Sequence, residues 1–319
     1  MAKHLHSSCT HIVLLLLLFV PASGQNKSNS LKIAYNVLFD KTADNYEIFV
    51  MNLDGTGKKN ISNWKGVDWV YYSYEHKLYF VSDRDTTHRM YFLYEMDADG
   101  NNVRKICPFR LEDSWLSSRK GGTEFVVSAR KDGLRNTLYI IDKSGNIVRQ
   151  LTSDTSRYYN DPCFSPDGEQ IVFRYKTNRR DRNENDELWI MNDDGTNMRR
   201  ITQYPQDDPT RKWENYKAGP PQWRPATNVI SYISWQKGNY SIFTIHPDGS
   251  GGKQLTGNDM NEGYHSWSPD GKMIAFDGSD LKDSKFSIYL LNADGSGTKQ
   301  LTNDYKYEQA PVFVRSVSN

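Results

Sequence analysis

The sequence predicts an all-β fold: a six-bladed β-propeller of four-stranded antiparallel blades, closed by its carboxyl-terminal strand. Three observations predict it. One hairpin pattern occurs six times, a second turn motif falls between the copies, and the two chain ends have complementary strand counts.

The amino terminus comes first and stands apart. Lys3 and nearby histidines precede the apolar run Ile12 to Val20, and Ala22-Ser23-Gly24 places small residues before Gln25. This is the pattern of an export signal over residues 1–24, with a mature chain from Gln25. The run is too short for a membrane span. Cys9 precedes it, which disfavours a lipid anchor. The expected location is periplasmic or secreted.

Residues 25–319 then read as one domain. The hairpin is clearest in "IYLLNADGSGTKQLT", Ile288 to Thr302, and its relatives begin at Ile48, Leu93, Leu138, Leu188 and Ile242. Alternating apolar residues predict half-buried strands, and Asp-Gly between two such runs predicts a hairpin turn. The turn glycines Gly55, Gly100, Gly145, Gly195, Gly249 and Gly295 recur about every 45 to 54 residues, the period of a four-stranded blade. The second motif, "SPDG" in "DPCFSPDGEQIVF" from Asp161 and "YHSWSPDGKMIAF" from Tyr264, closes the hairpin of the other two strands; "PPQWRPATNVISY" from Pro220 is a worn copy. Each blade thus has strands A to D, from the channel outward.

The ends fix the blade count. The first repeat has a strand at Leu31 to Phe39 and its hairpin, with no strand before them; after the sixth hairpin a lone strand, "APVFVRS", begins at Ala310. That strand supplies strand A of the first blade and closes the ring. On this map Cys107 ends an outermost strand of blade two and Cys163 lies on the innermost strand of blade four, so the two should not meet.

The "SPDGEQIVF" and "SPDGKMIAF" segments and the Asp-Gly hairpins resemble the repeats of TolB-type propellers over nearly the whole mature chain. The resemblance implies the fold. TolB also has a separate amino-terminal domain that contacts envelope proteins; here only a few residues lie between the predicted cleavage point and the first strand. "YHSWSPDGKMIAFDGSD" is also similar to the part of the oligogalacturonate lyase pattern that contains a metal-binding histidine, His265 here. The other ligand positions are unmatched, with Pro162 and Pro220-Pro221-Gln222 in the corresponding stretches, so no metal site is expected.

Function is sought in the loops joining strand D to the next strand A, which gather at one channel mouth. Each carries an aromatic residue with a carboxylate or amide, a combination that suits sugar faces and hydroxyls. The candidate ligand-binding residues are Glu262, Tyr264, His265, Glu308, Tyr159, Asp161, Trp115 and Trp213. The bland alternative is that these aromatics brace the ring centre. Glu262 and Glu308 lie five residues before Trp267 and Phe313, an offset that suggests similar depth on neighbouring blades. The turn aspartates read as turn formers, with calcium in or near the channel as the alternative; otherwise no cofactor is expected.

A net charge of +1 and an export signal argue against nucleic acid. Arginines and lysines in the B–C loops, including Arg130, Arg174 and Arg180, are interleaved with acids and read as salt-bridged surface. No nucleophile elbow, phosphate loop or dinucleotide fingerprint is present. Two functions remain: an exported, monomeric binding module for a glycan or envelope protein, or a carbohydrate-active enzyme, glycosidase or lyase, working at the same mouth.

Overall fold

In the computed structural model, residues 1, 30–205, 207–257, 259–282 and 284–316 are described; the predicted export segment falls outside them except for Met1. All regular elements among them are β-strands, arranged as six antiparallel sheets. Among the described residues no helix is long and apolar enough to cross a membrane.

The first blade has the predicted composite origin. Its order is Glu308–Ser316, Ser30–Asp40, Asn45–Asn52 and Lys59–Asn60, so the last strand of the chain is the innermost. Leu31 pairs with Arg315 and Ile33 with Phe313. The second blade starts at Asp68–Tyr74, the fourth at Tyr158–Phe164, the fifth at Gln222–Trp223 and the sixth at Asn261–Trp267, each with four strands in chain order. Blade three differs in one detail. Its innermost strand is split into Arg110–Leu111 and Ser117–Arg119, both paired with Glu124–Lys131, giving five segments in that sheet.

The core lies between blades, which explains why one blade could not stand alone. Ala34, Ile48 and Val50 of the first blade meet Leu78, Phe80 and Met96 of the second; Val126 and Leu138 of the third meet Ile171 and Phe173 of the fourth. The repeated motif serves this packing. The Ser/Thr hydroxyl ending each outer strand accepts a backbone N–H from strand C: Ser62 from Ile48, Thr152 from Leu138, Thr202 from Leu188, Thr256 from Ile242 and Thr302 from Ile288, all at 2.8–3.0 Å. In blade two Cys107 stands in this position. It and Cys163 are free and buried, and burial pushes both thiols up to about 11.

The basic residues of the outer strands reach forward as well. Arg104 donates to the Lys143 carbonyl, Arg149 to Asp193, Arg199 to Pro247 and Lys299 to Asp54, each on the turn of the next blade. The turn aspartates are occupied locally: Asp54, Asp194, Asp248 and Asp294 each accept the backbone N–H two residues on at 2.8–3.0 Å. Such side-chain contacts stabilise a tight turn.

Candidate functional site

The structure distributes the predicted residues among three environments. Glu262 sits at the start of its strand and accepts from Thr256 Oγ1 and from Ile242 N at 2.8 Å. Burial raises its carboxyl to about 7, against the lowering effect of those hydrogen bonds. Glu308 is fully buried beside Thr302 at the same offset, and burial raises it too. Both acids therefore belong to the packing around the Leu-Thr segments of the preceding blade. His265 is buried between blades five and six, 2.6 Å from Ser231 Oγ, which also accepts from Trp267 Nε1 at 2.8 Å. Burial lowers its imidazole to about 3, so it is neutral at physiological pH. Tyr159 packs against Phe173 and Tyr175. Trp213 is 69% exposed on the outer surface.

Trp115, Tyr264 and Asp161 do meet near the channel axis. The Trp115 and Tyr264 rings lie 4.4 Å apart, and Tyr71 lies 4.3 Å from Trp115. Blades three and six are opposite one another in the ring, so this contact crosses the channel and closes it. Tyr71 donates its hydroxyl to Asp113, which is surrounded by protein at the mouth yet still reached by solvent. The partial loss of water raises the Asp113 carboxyl, partly offset by Tyr71. Behind it, Asp161 accepts from Trp115 N at 3.0 Å and from Arg174 at 2.7 Å; Arg174 also holds Asp186 at 2.5 Å. In the sixth blade Asp277 accepts from Ala310 N at 2.9 Å, while its second oxygen is buried without a partner. Burial raises this acid to about 7. This end of the channel is thus an aromatic plug over an ordered polar layer.

The opening is at the other end. A cavity of about 440 Å³ lies between the plug and the A–B turns, lined by the innermost strands of all six blades. Tyr71 and Trp115 form part of its wall together with Tyr72, Tyr74, Phe164, Trp223, Trp267 and Phe313; Gln222, Ser266 and Arg315 add polar groups. Trp223 Nε1 and Ser266 Oγ are buried without hydrogen-bond partners among the described residues. The Arg315 side chain makes a 3.6 Å ion pair to the exposed Glu75. Reasoning from the D–A loops named Trp115 and missed the other wall residues. A signal was present: Phe164, Trp223 and Trp267 each stand two residues before the proline of an A–B turn.

Among the described residues no three metal-ligating side chains converge. The B–C loops are salt-bridged, as Arg130 with Glu112 at 2.7 Å illustrates.

No protein-family profile matches the chain, and no curated protein matches it. Solved structures do. TolB from Acinetobacter baumannii is 16% identical with a TM-score of 0.66, covering 88% of this chain and 66% of its own. A putative TolB from Agrobacterium tumefaciens is 16% identical with a TM-score of 0.62, covering 88% and 91%. An oligogalacturonate lyase from Vibrio parahaemolyticus is 16% identical with a TM-score of 0.53, covering 84% and 74%. The chain spans just under two thirds of the Acinetobacter protein. At such identities the likeness concerns architecture, and the chain has the six-bladed propeller fold of the TolB structures.

Proposed function

We propose that this protein is an exported, non-catalytic binding module that holds a glycan in its central channel, entering from the A–B turn end. One observation carries the reading: the cavity walled by all six blades combines aromatic faces with an unpartnered indole N–H and hydroxyl, Trp223 and Ser266. Sugars present apolar C–H faces and hydroxyls that both donate and accept, which complements this wall. Its volume lies within the range of small-ligand pockets, about 300–1,000 Å³. The acids and imidazole best suited to acid–base chemistry support the non-catalytic reading, because Glu262 and His265 are committed to interblade hydrogen bonds. No resident cofactor is required.

The test is a glycan-array screen of the mature chain with product analysis on each hit. Binding without turnover, weakened at least tenfold by Trp223→Phe and by Ser266→Ala, supports the proposal. Turnover of a bound glycan would favour the carbohydrate-active enzyme. Capture of an envelope protein, with no glycan bound, would replace the ligand class.

A further inference from the structure

A second site lies on the outer rim of blade four, away from the channel. The loop between Gln170–Lys176 and Glu187–Asn192 is held firmly. Glu184 accepts from Thr177 and from Asn178 N at 2.8 Å, and Lys217 donates to the carbonyls of Arg182 at 2.8 Å and Glu184. Between this loop and the blade is a groove of about 490 Å³. Tyr175 and Trp189 line it with ring centroids 4.6 Å apart.

The groove contains an unusual polar side chain. Asn185 is only 5% exposed, yet neither its amide oxygen nor its amide nitrogen has a hydrogen-bond partner among the described residues. The indole N–H of Trp189, which also lines the groove, is buried with no hydrogen-bond partner among the described residues. A buried polar group left unsatisfied is destabilising, and native proteins hold few of them. The missing partner has to donate to one atom and accept from two others over an aromatic floor.

That requirement selects among ligand classes. An inorganic anion only accepts, and it would face Asp181, Glu184 and Glu187. A cation cannot accept from the Asn185 amide or the Trp189 indole. Adjacent hydroxyls of a pyranose both donate and accept, and the sugar's C–H face packs on aromatic rings. We infer that this groove is a second carbohydrate site, specific for a neutral sugar, with Asn185 and Trp189 as its recognition residues and Arg200 at its rim.

The experiment is saturation-transfer NMR and calorimetric titration of the mature chain with methyl α-glucopyranoside, methyl β-galactopyranoside and N-acetylglucosamine. Two variants probe the groove. Trp189→Phe preserves ring packing and removes the N–H; Asn185→Leu removes the unsatisfied amide and is expected to leave the melting temperature unchanged or raise it. Each should weaken binding of the responding sugar at least tenfold. If none of the three sugars binds, so that the groove holds water only, the inference is overturned. Binding insensitive to both groove variants overturns it too, as does binding of peptides in place of sugars. A channel that fails its own test does not alter these readouts.

Discussion

Gly55 of the first blade lies directly against the backbone of Leu301 in the sixth: a Cβ at Gly55 would stand 2.8 Å from the Leu301 carbonyl oxygen. The same contact recurs around the ring, Gly195 on Leu151, Gly249 on Ile201 and Gly295 on Leu255 among them. The Asp-Gly turn and the Leu-Thr strand end are therefore two halves of one interblade joint. Gly55 also has φ +91°, outside the range side chains tolerate well. Gly55→Ala should cost about 2–4 kcal/mol, combining the backbone penalty with the clash. Gly133, at φ +82° with open space for 4 Å around the place a Cβ would occupy, isolates the first contribution; Gly133→Ala should cost about 1 kcal/mol. Urea denaturation of both variants checks the difference, and equal costs would remove the packing role.

Ring closure depends on the last strand. Val312, Phe313 and Val314 are at most 5% exposed and pack against blades one, two and six. Deleting Ala310 to Asn319 should cost on the order of 5 kcal/mol from these three side chains alone. The expected outcome is loss of the single cooperative melting transition; an unchanged melt would contradict closure.

Ser231 is shared by His265 and Trp267 across the boundary between blades five and six. Ser231→Ala leaves both ring nitrogens without their partner in a buried site. A loss of about 1–3 kcal/mol is expected by chemical denaturation. A cost near zero would mean that water replaces the hydroxyl.

Two buried titrating groups pull stability in opposite directions. Asp277 has its folded pKa raised to about 7, above the usual carboxylate value, so its contribution is full below about pH 4 and is lost as pH rises through 7. His265 is lowered to about 3, so its contribution is present above about pH 6.5 and is lost as pH falls towards 3. Asp277→Asn should therefore gain stability relative to wild type at pH 8 compared with pH 5. Urea midpoints at the two pH values measure this, and a constant offset would exclude the assignment.

Glu262→Ala should lower stability by about 1–3 kcal/mol, since Thr256 Oγ1 loses its acceptor and Ile242 N keeps only Thr256 Oγ1. Ligand affinity in the channel should stay within twofold of wild type. Unchanged stability with lost binding would return Glu262 to a ligand-contacting role.

Local chemistry by itself determined the blade architecture. Alternation, Asp-Gly and Ser-Pro-Asp-Gly are short-range signals, and a missing strand at one end with a lone strand at the other allows one closure, now seen in Leu31 opposite Arg315. The candidate residues were legible only in part. Trp115, Tyr264 and Asp161 do converge, and the five-residue offset of Glu262 and Glu308 does place them alike, each buried beside the Thr of the preceding blade. Register shifts between Glu262 and His265, and between Ala34 and Asn36 opposite the last strand, interrupt the alternation of both innermost strands in a way no local pattern announces. A bulge reverses which face a side chain takes, and in these strands it accompanies acids packed on Thr256 and alongside Thr302. Which channel end is open was likewise a tertiary matter. It depends on Trp115 meeting Tyr264 from opposite blades, about 150 residues apart in the chain. No local pattern contains that contact, because it exists only once six blades have closed around a common axis.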